Sequence, residues 1–181
     1  MALKKLAKNG YGQLELNFAA FRRNGAIEAQ CKLDQTKDAE GAYIMPYIEN
    51  GMLLAVDRAT RTVKYPTGDA NEVIALNYTT EHMYDERAKA LKDFKLDNNS
   101  FLPRLGYIGV ADKFTTNTVC YDADTYTTDE AALAAAKYGV PCENGYIKLV
   151  AERPENGFAV QVIAVTDMPD GQVAVKFAGL N

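Results

Sequence analysis

Ile27-Glu28-Ala29-Gln30-Cys31-Lys32-Leu33 alternates apolar and polar side chains without a break. Successive side chains of a strand point to opposite faces, so a period of two predicts a half-buried strand here. Asn24-Gly25 immediately upstream is a hairpin-type turn pair, which makes the stretch Gln13–Phe18 a candidate partner strand. Residues 34–50 are polar, contain Gly41 and Pro46, and read as a long loop. Met52–Asp57 and Arg61–Tyr65, separated by Arg58-Ala59-Thr60, read as a second hairpin, and Val73–Tyr78 as a further strand.

The remainder follows the same logic. Glu81–Phe94 opens with Glu81, Asp85 and Glu86 and closes with Arg87, Lys89 and Lys92. That order complements a helix dipole, but the apolar periodicity is weak, so a short helix and an ordered loop both fit. Phe101–Val110 carries Pro103 and Gly106, which suit an edge strand or a bulge. Phe114–Tyr121 reads as one Thr-rich strand. Thr127 and Glu130 have capping-box spacing ahead of the Ala-rich run Ala131–Tyr138, with Gly139 as a stop, which predicts one helix near 129–138. Tyr146–Glu152, Phe158–Thr166 and Gln172–Phe177 read as strands, the last two joined by the turn Met168-Pro169-Asp170-Gly171.

Short strands broken by frequent turns predict a mainly β fold, an antiparallel barrel or sandwich with one short inserted helix. No repeating βαβ pattern is present, which argues against a doubly wound nucleotide-binding fold. Residues 1–25 read as an extended N-terminal arm and residues 26–181 as the β-rich body. The length of 181 residues suits a single domain that needs neither disulfide nor metal to bury a core. Eleven tyrosines and no tryptophan fit strands and protein interfaces, where the ring packs and the hydroxyl finds a polar partner.

Cys31, Cys120 and Cys142 are odd in number and contain no C-x-x-C pair, so three free thiols and folding in a reducing cytoplasm are expected. The first eight residues lack the apolar stretch of a signal peptide, and no apolar run approaches the roughly 18 residues that span a membrane. A soluble chain with no membrane partner is the expectation.

The net charge of −4 is unevenly placed. Residues 1–32 hold six basic side chains against two acidic ones, a net +4, and the other 149 residues hold fourteen against twenty-two, a net −8. A basic arm on an acidic body is steered toward an acidic partner, although terminal lysines also serve simply to solubilise an end. The arm mixes its charges (Lys4, Lys5, Lys8, Arg22, Arg23) with apolar side chains (Tyr11, Leu14, Leu16, Phe18, Phe21), so it can bury surface as well as pair charge. These ten residues are the candidate partner-binding set.

Chemistry-bearing patterns are missing. His82 is the one histidine, and Glu81-His82-Met83-Tyr84-Asp85-Glu86 lacks the spacing of a metal site. Asp122-Ala123-Asp124-Thr125-Tyr126 begins like a calcium loop but has Thr127 and Leu133 where that loop needs Gly and Glu. There is no phosphate-cradling Gly-rich loop and no nucleophile elbow. An acidic body and the small Arg22-Arg23 patch give no footprint for nucleic acid. No catalytic residue, metal or cofactor is expected.

Several phrases carry a resemblance. Lys8-Asn9-Gly10-Tyr11-Gly12-Gln13-Leu14-Glu15-Leu16, Phe21-Arg22-Arg23-Asn24-Gly25, residues 75–87, Phe101-Leu102-Pro103-Arg104-Leu105-Gly106-Tyr107 and the ending from Met168 to Phe177 resemble small virion structural proteins of tailed bacteriophages of Gram-positive bacteria. Within that group the resemblance favours a capsid decoration protein. It implies a non-enzymatic chain, made in the host bacterial cytoplasm and placed on the virion. Its partners would be the major capsid protein and neighbouring copies of itself. A tail or baseplate subunit is the alternative, followed by a glycan-active enzyme, which would need a carboxylate pair in a cleft.

Overall fold

The computed structural model describes residues 3–6, 12–14, 26–79, 94–98 and 102–180. They form two large sheets that face each other in a sandwich-like arrangement rather than a closed barrel, with one short helix. The seven-stranded sheet runs in the order β1 (Leu3–Lys5), β11 (Val119–Asp122), β13 (Ile147–Val150), β12 (Tyr138–Pro141), β14 (Val160–Asp167), β15 (Val173–Gly179), β10 (Lys113–Thr116). The six-stranded sheet runs β2 (Ile27–Glu28), β9 (Leu105–Gly106), β7 (Ile74–Asn77), β5 (Leu53–Asp57), β6 (Thr62–Lys64), β3 (Lys32–Leu33). A small ribbon pairs β4 (Tyr47–Ile48) with β8 (Leu96–Asp97).

β5 shows how the sequence builds two cores. Leu53 and Ala55 point into the space between the sheets, against Phe114, Val119, Ile147, Leu149 and Phe177 of the seven-stranded sheet. Leu54 and Val56 point the other way, into a second core with Cys31, Met45, Ile48 and Leu96. A strand buried on both faces has no polar alternation, which is why Leu53-Leu54-Ala55-Val56 reads as a continuous apolar run. The segment read as a polar loop, 34–50, supplies Met45 and Ile48 and so roofs this second core.

The expected hairpin 52–65 is present, with Val56 opposite Val63 and Asp57 opposite Thr62. The turn closes because the Asp57 carboxylate accepts the N–H groups of Ala59 and Thr60, while Arg61 takes a positive φ of 55°. The hairpin of β14 and β15 is present too, its turn closed by the Gly171 N–H donating to the Met168 carbonyl at 2.8 Å, with Gly171 at φ 79°.

Four expectations are corrected. Ile27–Leu33 is two strands, since β2 pairs antiparallel with β9 and β3 runs parallel to β6. Ile27 is 39% exposed, so the alternation does not mark one continuous buried face. Leu105–Gly106 lies between β2 and β7 and is no edge strand. Phe114–Tyr121 breaks at Asn117-Thr118 into β10 and β11. β10 is one edge of the seven-stranded sheet and β11 lies next to the other, so a two-residue link requires the sheet to curl back on itself. Buried polar side chains hold that corner. Thr116 Oγ1 donates to the Gln13 carbonyl at 2.6 Å, Thr118 Oγ1 donates to the Asn50 carbonyl at 2.8 Å, and Asn117 Nδ2 donates to Gln172 at 3.1 Å.

The helix is the fourth correction. It spans Asp129–Ala135, seven residues, and its cap is Thr128, whose side chain accepts the Ala131 N–H at 3.2 Å. Gly139 is not its stop but a residue of β12, where an added Cβ would lie 2.5 Å from Ile147 Cγ2 and 2.8 Å from Phe177 Cε1. Among the described residues no helix is long and apolar enough to cross a membrane. His82 and almost all of the stretch 81–94 lie outside the described residues.

Candidate interaction surface

Sheet edges are where a β protein offers backbone hydrogen bonds to another chain, and natural sheets blunt them with charge. Most open strands here follow that rule: β1 carries Lys4 and Lys5, β2 carries Glu28, β3 carries Lys32 and β10 carries Lys113. β14 does not. β12 pairs with it only at Val160 and Gln161, and the Val162 N–H still reaches the Lys137 carbonyl at 2.9 Å. From Ile163 to Asp167 no described residue pairs with that edge.

The open rim is also apolar. Gln161-Val162-Ile163-Ala164-Val165-Thr166 has no charge until Asp167. Ile163 and Val165 are each 46% exposed, and Ala164 between them is exposed as well. A register irregularity between Val162 and Ala164 makes Ile163 an extra residue relative to β15. Such a bulge bends the strand away from its neighbours. Sequence reasoning placed a strand here but could not see the rim, because which flank of a strand stays open depends on where β12 ends.

The candidate arm residues fall in three places. Lys4 and Lys5 lie in β1, which pairs with β11 through Lys4–Tyr121 and Lys5–Cys120. The Lys4 ammonium is 3.3 Å from the Asp129 carboxylate, which also accepts the Tyr121 hydroxyl at 2.7 Å. Those two contacts, the Tyr121 one first, raise the Lys4 pKa. Lys5 stands over the Tyr146 ring at 4.0 Å. Leu14 is in the main core at 2% exposure, bridged to Thr116, and not paired with 27–33. Lys8, Tyr11, Leu16, Phe18, Phe21, Arg22 and Arg23 lie outside the described residues. At its described positions, then, the segment 1–25 is built onto its own body, with Leu6 and Leu14 in the core.

The buried polar groups are joined to one another. Glu49, 5% exposed, accepts the Tyr146 hydroxyl at 2.7 Å, and its backbone carbonyl accepts Asn77 Nδ2 at 2.9 Å. Burial, then the nearby Glu49 charge, pushes the Tyr146 phenol well above its ordinary range. A phenol held neutral against a carboxylate ties structure together and is a poor nucleophile. Among the described residues no three His, Cys, Asp or Glu side chains gather as metal ligands.

No protein family, curated protein or solved structure matches this chain.

Proposed function

We propose that this chain is a non-enzymatic structural subunit that works by binding other protein subunits, and that it decorates and stabilises the capsid of a tailed bacteriophage through the major capsid protein. The observation that carries the subunit-binding part is the uncharged open rim of β14, with Ile163 and Val165 exposed on it, in a chain whose other open strands carry charge. An extended strand of a partner laid along this rim gains backbone hydrogen bonds and covers both side chains, the mode known as strand addition. The virion part rests on the phrases of sequence quoted above. Lys8, Tyr11, Leu16, Phe18, Phe21, Arg22 and Arg23 belong to this proposal as a second contact with the shell.

Separating capsids from tails of the producing phage and detecting the chain in each fraction tests the assignment. The proposal expects it on capsids, in many copies. Recovery with tails alone moves the subunit to the tail or baseplate, and absence from both fractions removes the virion role.

A further inference from the structure

Two cysteines meet on the face of the seven-stranded sheet that looks into the second core. Cys120 lies in β11, in register with Lys5 of β1 on one side and Lys148 of β13 on the other. Cys142 follows β12 directly and opens the turn to Gly145, whose N–H donates to the Cys142 carbonyl at 2.8 Å. The two strands flank β13, so the thiols approach each other across it, beside Tyr146. Cys120 is fully buried, whereas Cys142 keeps 8% of its surface open.

We propose that Cys142 is a nucleophilic thiol and a site of modification by small disulfides, with Cys120 as the positioning residue that supports its thiolate. Four groups favour a negative sulfur at Cys142. The Cys120 S–H donates to it, the backbone N–H groups of Asn144 and Glu143 point at it, and Lys148 adds positive charge. Burial opposes them, and the balance brings the Cys142 thiol down to about 6, while the same hydrogen bond drives Cys120 upward. The two sulfurs titrate as a pair that gives up one proton readily and holds the second. Cys31 is the internal contrast, since burial and then Glu28 push its thiol up to about 11.

The reaction is thiol–disulfide exchange and needs no other oxidant. The Cys142 thiolate attacks one sulfur of the reagent disulfide, that S–S bond breaks, a Cys142 mixed disulfide forms, and the departing thiolate takes a proton from water. Reactivity and acidity partly cancel, because nucleophilicity falls with pKa at a slope of about 0.4–0.5. At pH 7 an ordinary thiol, with a pKa of about 8.5, is already a few per cent ionised, so the gain there is only several-fold. Near pH 6 the ordinary thiol is almost wholly protonated and the gain is about tenfold.

The test is the rate of labelling of the folded protein by a dipyridyl disulfide between pH 4 and 9, with the modified cysteine located by peptide mass spectrometry. Labelling is expected at Cys142 first, with a pH midpoint near its value of about 6. Cys120→Ala is expected to move that midpoint up by roughly one unit or more, and Cys120→Ser, which keeps a donor, to move it less. A midpoint separates ionisation from access, which scales the rate at every pH alike. Labelling of Cys31 first, a midpoint in the ordinary thiol range, a midpoint indifferent to Cys120→Ala, or no labelling short of unfolding would each overturn the proposal.

Discussion

Tyr146 donates a hydrogen bond of 2.7 Å to Glu49, a carboxylate 97 residues away in the chain and buried in a segment of polar sequence. With Lys5 over the same ring at 4.0 Å, the contact ties the first strand, the 34–50 segment and β13 at one point. Tyr146→Phe removes the donor and strands the buried carboxylate, which is expected to cost about 1–3 kcal/mol in denaturant unfolding. Adding Glu49→Gln to that variant removes the charge and is expected to recover part of the loss. No change in Tyr146→Phe would mean that the pair contributes nothing to stability.

The same phenol sets an alkaline limit. Burial raises the pKa of both Tyr146 and Tyr65 above the ordinary phenol value of 10.0. A raised folded-state pKa means that the folded chain holds its proton more tightly than the unfolded chain. The stabilisation is therefore fully present below pH 10 and is lost as pH climbs above it. Unfolding midpoints should fall from about pH 10 upward, and less steeply in Tyr146→Phe, as a pH series of denaturant curves would show.

Gly139 is required for space. Its absent Cβ would lie 2.5 Å from Ile147 and 3.2 Å from Val160, both fully buried. Gly139→Ala should cost about 1–3 kcal/mol through overpacking. Gly41→Ala meets nothing within 4 Å and carries only the strain of its positive φ of 85°, so it should cost about 1 kcal/mol. Thermal unfolding of the two variants side by side separates crowding from backbone strain.

The two threonines before the helix are distinguishable. Thr128 accepts the Ala131 N–H, so Thr128→Ala should lose about 1 kcal/mol of stability. Thr127→Ala removes no cap and should be near neutral. Equal effects, measured by the same unfolding assay, would return the cap to the position that capping-box spacing suggests.

Removing residues 2–12 is expected to destabilise the domain, because β1 leaves its ladder with β11 and Leu6, 3% exposed, leaves the core. Leu6→Ala alone should cost about 2–5 kcal/mol. Retention of full stability by both variants, read by denaturant unfolding, would show that the segment is dispensable to its own fold.

Local chemistry was legible and topology was not. The 52–65 hairpin could be read because its turn closes through Asp57, two to three residues from the groups it binds. The 27–33 alternation misleads because each half joins a different strand of the six-stranded sheet, one antiparallel and one parallel. The break at Asn117-Thr118 is invisible to hydrophobic periodicity, since buried polar bonds from Thr116, Asn117 and Thr118 make the corner. Gly139 looks like a helix stop until Ile147 and Phe177 are seen against it. Of the candidate binding residues, Lys4, Lys5 and Leu14 turned out to face their own domain, where the partners are more than 90 positions distant. The rim of β14 depends on the point at which β12 stops, and no local pattern records that.

The most direct measurement is the binding of purified protein to isolated capsids by co-sedimentation, comparing wild type with a double variant, Ile163→Lys and Val165→Lys. Both positions are 46% exposed, so the unfolding midpoint should change little while the rim gains the charges that blunt the other edges. Loss of capsid binding by a variant as stable as wild type is the predicted result. Equal binding by variant and wild type, or none by either, would contradict the account.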